Sequence, residues 1–145
     1  MEGIRKIIRK ILAEAQVQFT GVKIQDPQEI SKLESMTQKN MEALGVEMPG
    51  GWKNPVDYHM TVKFGMLPLG MRMRGDVGKS TTLQVQTIGV SDDAIALGVS
   101  GYMSRNENQH ITLKFKVYPS DSNEIKEWTP LPYPFELEGV VYEYQ

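Results

Sequence analysis

Hydrophobic and polar residues alternate along two short stretches of the chain, and this pattern predicts two β-strands. The stretches are Tyr58–Phe64 and Gln109–Phe115, and from its second residue each reads His, apolar, Thr, apolar, Lys, Phe. Successive side chains of a strand point to opposite faces, so His, Thr and Lys share one face and the apolar residues share the other. We therefore expect each strand to bury an apolar face and to present an imidazole, a hydroxyl and an ammonium on the other.

The rest of the chain predicts further strands and a few helices. Isoleucine and leucine at helical spacing predict an amphipathic helix over residues 1–16. Packing of its apolar side on the domain is favoured, and contact with a membrane surface or with a second copy of the chain are the alternatives. A second helix is predicted from Asp26, a capping residue, to Gly45, a residue type that commonly ends helices. A short helix is predicted over 121–128. Alternation predicts the remaining strands at 17–24, 81–90, 94–100 and 135–144.

This order of elements favours an α+β fold with a mainly antiparallel sheet. A chain of 145 residues is long enough for one domain with its own core. We therefore expect a single domain over residues 1–145, in which residues 1–16 form an N-terminal helical extension.

Composition narrows the classes of function. The chain has no cysteine, which excludes disulfides and thiolate sites, and its net charge of −2 argues against a broad basic surface for long duplex nucleic acid. No apolar run is long enough to span a bilayer, and the charged N-terminal segment is unlike a secretory signal. We expect a cytoplasmic protein, of a bacterium or an infected host cell, with no membrane partner; composition does not fix its oligomeric state.

The two motif strands carry the candidate chemistry. If they lie near each other in one sheet, two imidazoles and two hydroxyls converge, as a phosphate site requires. One neutral histidine accepts a proton while the other, charged, donates one, and threonine hydroxyls hold the phosphate oxygens. The alternative is that these polar residues only face solvent and form no catalytic site.

The paired H-x-T motifs resemble those of the two-histidine (2H) phosphoesterase superfamily, which carries one motif in each half of the chain. Two flanking features are also similar to its RNA-repair members: the Phe19-Thr20-Gly21-Val22 strand and an asparagine, Asn108, just before the second histidine. The resemblance covers residues 17–145. It implies two pseudo-symmetric lobes around a central groove, no cofactor and no metal. The catalytic residues that it implies are His59, Thr61, His110 and Thr112.

The same resemblance implies a metal-independent phosphodiesterase. Its substrate would be a nucleotide 2′,3′-cyclic phosphate, an RNA end or another RNA-type linkage. A phage enzyme that degrades cyclic oligonucleotide immune signals by the same chemistry is the alternative. A module that binds nucleotides without cleaving them is a second alternative.

Four further residues are candidates for substrate binding. Trp52 and Tyr102 lie in predicted loops before the motifs, where an aromatic ring can stack on a base, although either ring can instead close over the core. Lys63 and Lys114 follow the motif threonines on the same strand faces and add positive potential.

Overall fold

Strands contain more residues than helices in this structure, a computed structural model that describes residues 17–103 and 108–145. The helix predicted over 1–16 lies outside the described residues. The strands are β1 Phe19–Ile24, β2 Tyr58–Phe64, β3 Ser80–Val90, β4 Ala94–Ser100, β5 His110–Phe115 and β6 Trp128–Tyr144. The helices are α1 Pro27–Leu44, α2 Leu69–Met73 and a 3₁₀ helix, Pro119–Glu124.

The six strands form one closed antiparallel barrel in the order β1-β2-β5-β4-β3-β6. The two motif strands, β2 and β5, are neighbours in this barrel and pair at Met60↔Ile111. The expected bilobal α+β fold, with a groove between two lobes, is therefore wrong. Instead of lying on separate lobes, the two motifs lie side by side on one continuous sheet.

Strand β6 closes the barrel because it is 17 residues long and pairs with both of its neighbours. Its last residues pair with β1, from Val140 to Tyr144, and most of its length pairs with β3. The sequence predicted only 135–144, because prolines at 130, 132 and 134 argue against a continuous strand. The ladder to β3 accommodates them with a register shift between Val85 and Thr87.

The barrel interior is the main core, and the alternation of both motif strands supplies part of it. Met60 and Val62 of β2 and Ile111 and Leu113 of β5 are buried in this core. Phe64, which the alternation placed on the same apolar face, is exposed instead. The motif histidines and threonines consequently lie on the outward face of the barrel.

Helix α1 packs along β6. Its observed bounds, Pro27–Leu44, confirm the helix predicted between Asp26 and Gly45. The Asp26 carboxylate accepts a hydrogen bond from the backbone N–H of Gln28 (2.8 Å), and Gly45 ends the helix in the left-handed conformation, with φ of 71°. The buried Asn40 side chain fixes α1 to β6 through two hydrogen bonds to the backbone of Tyr133.

A second, smaller apolar cluster lies outside the barrel. It forms where the 3₁₀ helix and the residue after it fold over the outward face of β4 and β5. Its members are Ala94, Ala96, Phe115 and Ile125, with Trp128 packed against them. This cluster holds the 3₁₀ helix beside the second motif.

Candidate functional site

The first motif histidine is held by a carboxylate two residues before it. His59 Nδ1 lies 2.7 Å from Asp57 Oδ1. The other Asp57 oxygen accepts a hydrogen bond from the Tyr144 hydroxyl (3.0 Å) and lies 3.9 Å from Lys23 Nζ. A carboxylate on Nδ1 fixes the orientation of the ring and turns Nε2 toward other groups, as in catalytic triads. His59 itself is half-exposed, so this arrangement suits acid–base chemistry.

Aromatic rings complete the surroundings of His59. Its ring centroid lies 5.3 Å from that of Phe19 and 5.1 Å from that of Tyr144, and these two rings stack on each other at 4.3 Å. Gly21 lies beneath this group: a Cβ there would come within 2.9 Å of the Met60 carbonyl oxygen, 3.4 Å of Tyr144 and 3.6 Å of His59. The absent side chain thus lets both rings lie close to the sheet.

The Asp57 carboxylate carries a negative charge that its neighbours stabilise. Burial opposes the ionisation of Asp57, but the hydrogen bonds and charges of His59, Tyr144 and Lys23 outweigh burial and lower the pKa of Asp57. Burial and the neighbouring Asp57 carboxylate strongly raise the pKa of Tyr144. Tyr144 therefore remains a hydrogen-bond donor to Asp57 over the whole physiological range.

The second motif histidine is also fixed by an acceptor two residues before it, but it is buried. His110 is 7% exposed. Its Nδ1 lies 2.7 Å from the Asn108 carbonyl oxygen, and its Nε2 lies 2.9 Å from Ser122 Oγ of the 3₁₀ helix. Because a carbonyl only accepts hydrogen bonds, His110 carries its proton on Nδ1 when it is neutral.

Ser122 connects His110 with the motif threonine. Its hydroxyl oxygen lies 2.8 Å from Thr112 Oγ1 and 2.9 Å from the Pro119 carbonyl oxygen, and Ser122 is 3% exposed. The hydroxyl has one hydrogen. With His110 neutral, Ser122 donates to Nε2 and accepts from Thr112; with His110 protonated, Nε2–H donates to Ser122, which donates to Pro119.

The environment of His110 favours its neutral form. Burial lowers the pKa of His110, the Asn108 carbonyl opposes this shift, and the charge of His59 adds to it. The influence of His59 on His110 is itself a consequence of the proximity of the two motifs.

The register of β2 and β5 defines how the motifs face each other. With Met60 opposite Ile111, His59 lies across from Thr112, and Thr61 lies across from His110. The two histidines are therefore diagonal neighbours on one face, a relation that places backbones about 7–8 Å apart. Thr112, across from His59, is half-exposed, whereas His110 is buried.

The predicted binding aromatics both contact the core. Trp52 is half-buried and packs against the barrel core. Tyr102 also packs there, and its hydroxyl donates a 2.7 Å hydrogen bond to Asp76. Burial and Asp76 raise the pKa of Tyr102 to about 12. These contacts support the alternative in which each ring closes over the core.

The two predicted lysines are separated. Lys63 is half-exposed on β2, in register with Thr20 of β1. Lys114 lines a different cavity, beside α1, together with Glu34 and Tyr58.

Four residues around the motifs were missed at the level of sequence: Asp57, Ser122, Lys23 and Tyr144. One signal was available, because both motif histidines have an asparagine or aspartate two residues earlier, and each of these supplies the Nδ1 acceptor. For the other three residues no local pattern exists, since each lies in another element and reaches the motifs only through the tertiary fold.

No protein-family model matches the chain, and no curated protein matches it either. The resemblance to 2H phosphoesterases therefore rests on the two motifs. In residues 17–103 and 108–145, no three histidine, cysteine, aspartate or glutamate side chains converge as a metal site. Within the same ranges, no helix has the length and apolar character needed to cross a membrane.

Proposed function

We propose that the protein is a phosphodiesterase that uses His59 and His110 as an acid–base pair on a nucleotide phosphodiester. The observation that carries this proposal is that two imidazoles of fixed orientation lie on adjacent strands. Each has Nδ1 bound to an acceptor, so that Nε2 is the reactive nitrogen. General acid–base catalysis requires two such groups on either side of the reacting phosphorus.

The two environments assign the roles in this proposal. His110 has a lowered pKa and is the base, whereas His59 beside the Asp57 carboxylate is the acid. The attacking hydroxyl or water passes its proton to Thr112 Oγ1, Thr112 passes its own proton to Ser122, and Ser122 passes one to His110 Nε2. The new oxygen–phosphorus bond forms as the leaving oxygen departs with the proton from His59 Nε2. The network from Thr112 to His110 has the short distances that such a relay needs.

The substrate class in this proposal follows from the motifs. An RNA-type linkage carries a neighbouring 2′-hydroxyl that can attack the phosphorus, and a strained 2′,3′-cyclic phosphate is opened by water; two histidines can activate either nucleophile. A cyclic oligonucleotide contains the same linkage and is an alternative substrate for the same chemistry. A direct test is to incubate the protein, in chelator, with 2′,3′-cyclic mononucleotides, cyclic dinucleotides and cyclic trinucleotides.

Variants test the assigned roles. His59→Ala should lower turnover by about 10²-fold or more, the usual scale for a positioned acid or base. Asp57→Asn should lower turnover with little change in binding, because it removes the charge that balances protonated His59. Ser122→Ala and His110→Gln should both lower turnover, because each interrupts the relay from Thr112 to His110. If Ser122→Ala instead raises turnover, the hydroxyl blocks His110 and the relay is wrong.

A nucleotide-binding module is the second candidate, and the burial of His110 favours it. Nε2 of this histidine is already bonded within the protein, an arrangement that also serves to anchor the 3₁₀ helix. A module of this kind would bind nucleotides through His59 and leave them intact. Binding without turnover for every member of the substrate panel would support this candidate and refute the enzyme.

A further inference from the structure

An open cleft begins at Asp57, beside the first motif. Its volume is about 730 Å³, within the size range of small-molecule sites. It runs between the end of the loop before β2 and the last residues of β6. Its lining includes Lys23, Asp57, Gly78, Val140, Tyr142 and Tyr144. Because Asp57 contacts both the cleft and His59, a ligand in the cleft lies next to the candidate catalytic histidine.

Tyr142 presents an exposed aromatic ring to this cleft. The residue is 40% exposed, and its ring contacts that of Tyr144 edge to face at 4.8 Å. The Tyr144 ring in turn stacks on Phe19, so that the edge contact braces Tyr142 against an ordered group. A braced and accessible ring is what base stacking requires, since little conformational entropy is then lost on binding.

Lys23 supplies a cation at the same place. Its ammonium lies over one face of the Tyr142 ring, 4.5 Å from the ring centre, and 3.9 Å from Asp57 Oδ2. The second distance is longer than a hydrogen bond, so Asp57 does not hold the ammonium tightly. A phosphate in the site can therefore recruit Lys23 while Asp57 keeps its hydrogen bonds to His59 and Tyr144.

We propose that this cleft is a nucleobase subsite, in which a base stacks on Tyr142 while Lys23 pairs with the attached phosphate. The preferred ligands are purine nucleotides, because the larger ring system covers more of the tyrosine. The assignment of the phosphate to the catalytic histidines rests on the proposed function, whereas base stacking on Tyr142 does not.

The chain contains a matched control for this proposal. Tyr133 lies on the same strand, is 45% exposed, and has the ammonium of Lys39 4.2 Å from its ring centre. It therefore reproduces the tyrosine–lysine pair of the cleft. Tyr133 packs beside α1, where its backbone is bonded to Asn40, and it does not line the cleft. Equal effects at both tyrosines would reveal non-specific stacking.

The test is a binding titration followed by NMR, with adenosine 3′-monophosphate, cytidine 3′-monophosphate and inorganic phosphate as probes. The adenosine nucleotide should bind about 5- to 150-fold more tightly than phosphate, as expected from about 1–3 kcal/mol per stacked base. Tyr142→Ala should abolish that advantage, and Tyr142→Phe should keep it. Lys23→Gln should weaken the binding of all three probes, whereas Tyr133→Ala and Lys39→Gln should change none.

Two results would overturn the proposal: an adenosine nucleotide that binds no better than phosphate, or an advantage that survives Tyr142→Ala. If Tyr142→Ala does not fold, the amide shifts of Gly78 and Val140 in the unaltered protein give the answer, because base binding must perturb them. The titration uses reaction products and requires no turnover. Tyr142-dependent binding by a protein with no activity would thus preserve the subsite and reject the catalytic proposal.

Discussion

Both motif histidines are oriented by the residue two positions before them, although by different chemical groups. Asp57 uses its carboxylate, and Asn108 uses its backbone carbonyl. A carboxylate balances charge on an imidazole, whereas a carbonyl fixes a tautomer without adding a charge. The repeat that looks symmetric in sequence therefore gives the two histidines different environments, and the proposed assignment of acid and base rests on this difference.

Gly21 permits the close packing of His59 and Tyr144, so Gly21→Ala should disturb the site. The new Cβ would meet the Met60 backbone oxygen at 2.9 Å, a group that cannot simply rotate away. We expect a loss of about 1–3 kcal/mol in the free energy of unfolding, the range for overpacking. Urea unfolding measures it. Gly50→Ala is the control, because a Cβ there meets nothing within 4 Å; equal effects of the two changes would contradict the packing argument.

The buried His110 should make stability fall on acidification. Its pKa in the folded protein is lowered from 6.5, so the unfolded chain binds more protons and stability rises with pH. The contribution is fully present above 6.5 and is lost as pH falls through the lowered pKa. Melting temperatures between pH 7.5 and pH 5 should show this decline. His110→Gln should flatten it, and an unchanged slope in His110→Gln would refute the prediction.

Among the elements, the 3₁₀ helix decides whether the second motif is accessible. It covers the outward face of β5 and ties its Ser122 to His110 and Thr112. The sequence predicted a short helix at 121–128, later than the observed Pro119–Glu124. The sequence does not indicate the contact of this helix with β5, because hydrogen bonds between residues ten or twelve positions apart depend on the tertiary fold.

Ser122→Ala should weaken the attachment of this helix. The change leaves the partners of the hydroxyl without their hydrogen bonds, and a buried unsatisfied group costs about 1–3 kcal/mol. Chemical denaturation gives the loss of stability. Ser120→Ala is the matched control on the same helix, where the serine is exposed. If both variants are as stable as the original protein, Ser122 does not anchor the helix.

The loop before β2 contributes Trp52 to the core, so Trp52→Ala should destabilise the fold. Trp52 packs against the main core cluster while it remains half-exposed. We expect a loss near the lower end of the range for emptying a large aromatic site, about 3 kcal/mol. Thermal melting tests this, with the exposed Tyr118→Ala as control. A fall in nucleotide affinity at unchanged stability would instead return Trp52 to the role of a base platform.

At the scale of the whole molecule, the sequence predicted most strands but not their arrangement. Alternation identified β1 to β5 within a few residues, and Asp26 and Gly45 marked the ends of α1. Closure of the barrel depends on β6, whose prolines hid the first part of the strand. The motif resemblance then suggested two lobes, because a duplicated motif indicates two halves but carries no information about strand order.

Closure of the barrel predicts that the protein unfolds cooperatively. In a closed barrel the two parts of the chain share one core, so the whole should unfold in a single transition. The two tryptophans report on different regions: Trp52 on the main core and Trp128 on the outer cluster. In each single-tryptophan variant, Trp52→Phe and Trp128→Phe, fluorescence and circular dichroism should give the same urea midpoint. Independent lobes would separate the two probes, and a fluorescence midpoint for Trp128 well below that of the sheet would show that the 3₁₀ helix region unfolds before the barrel.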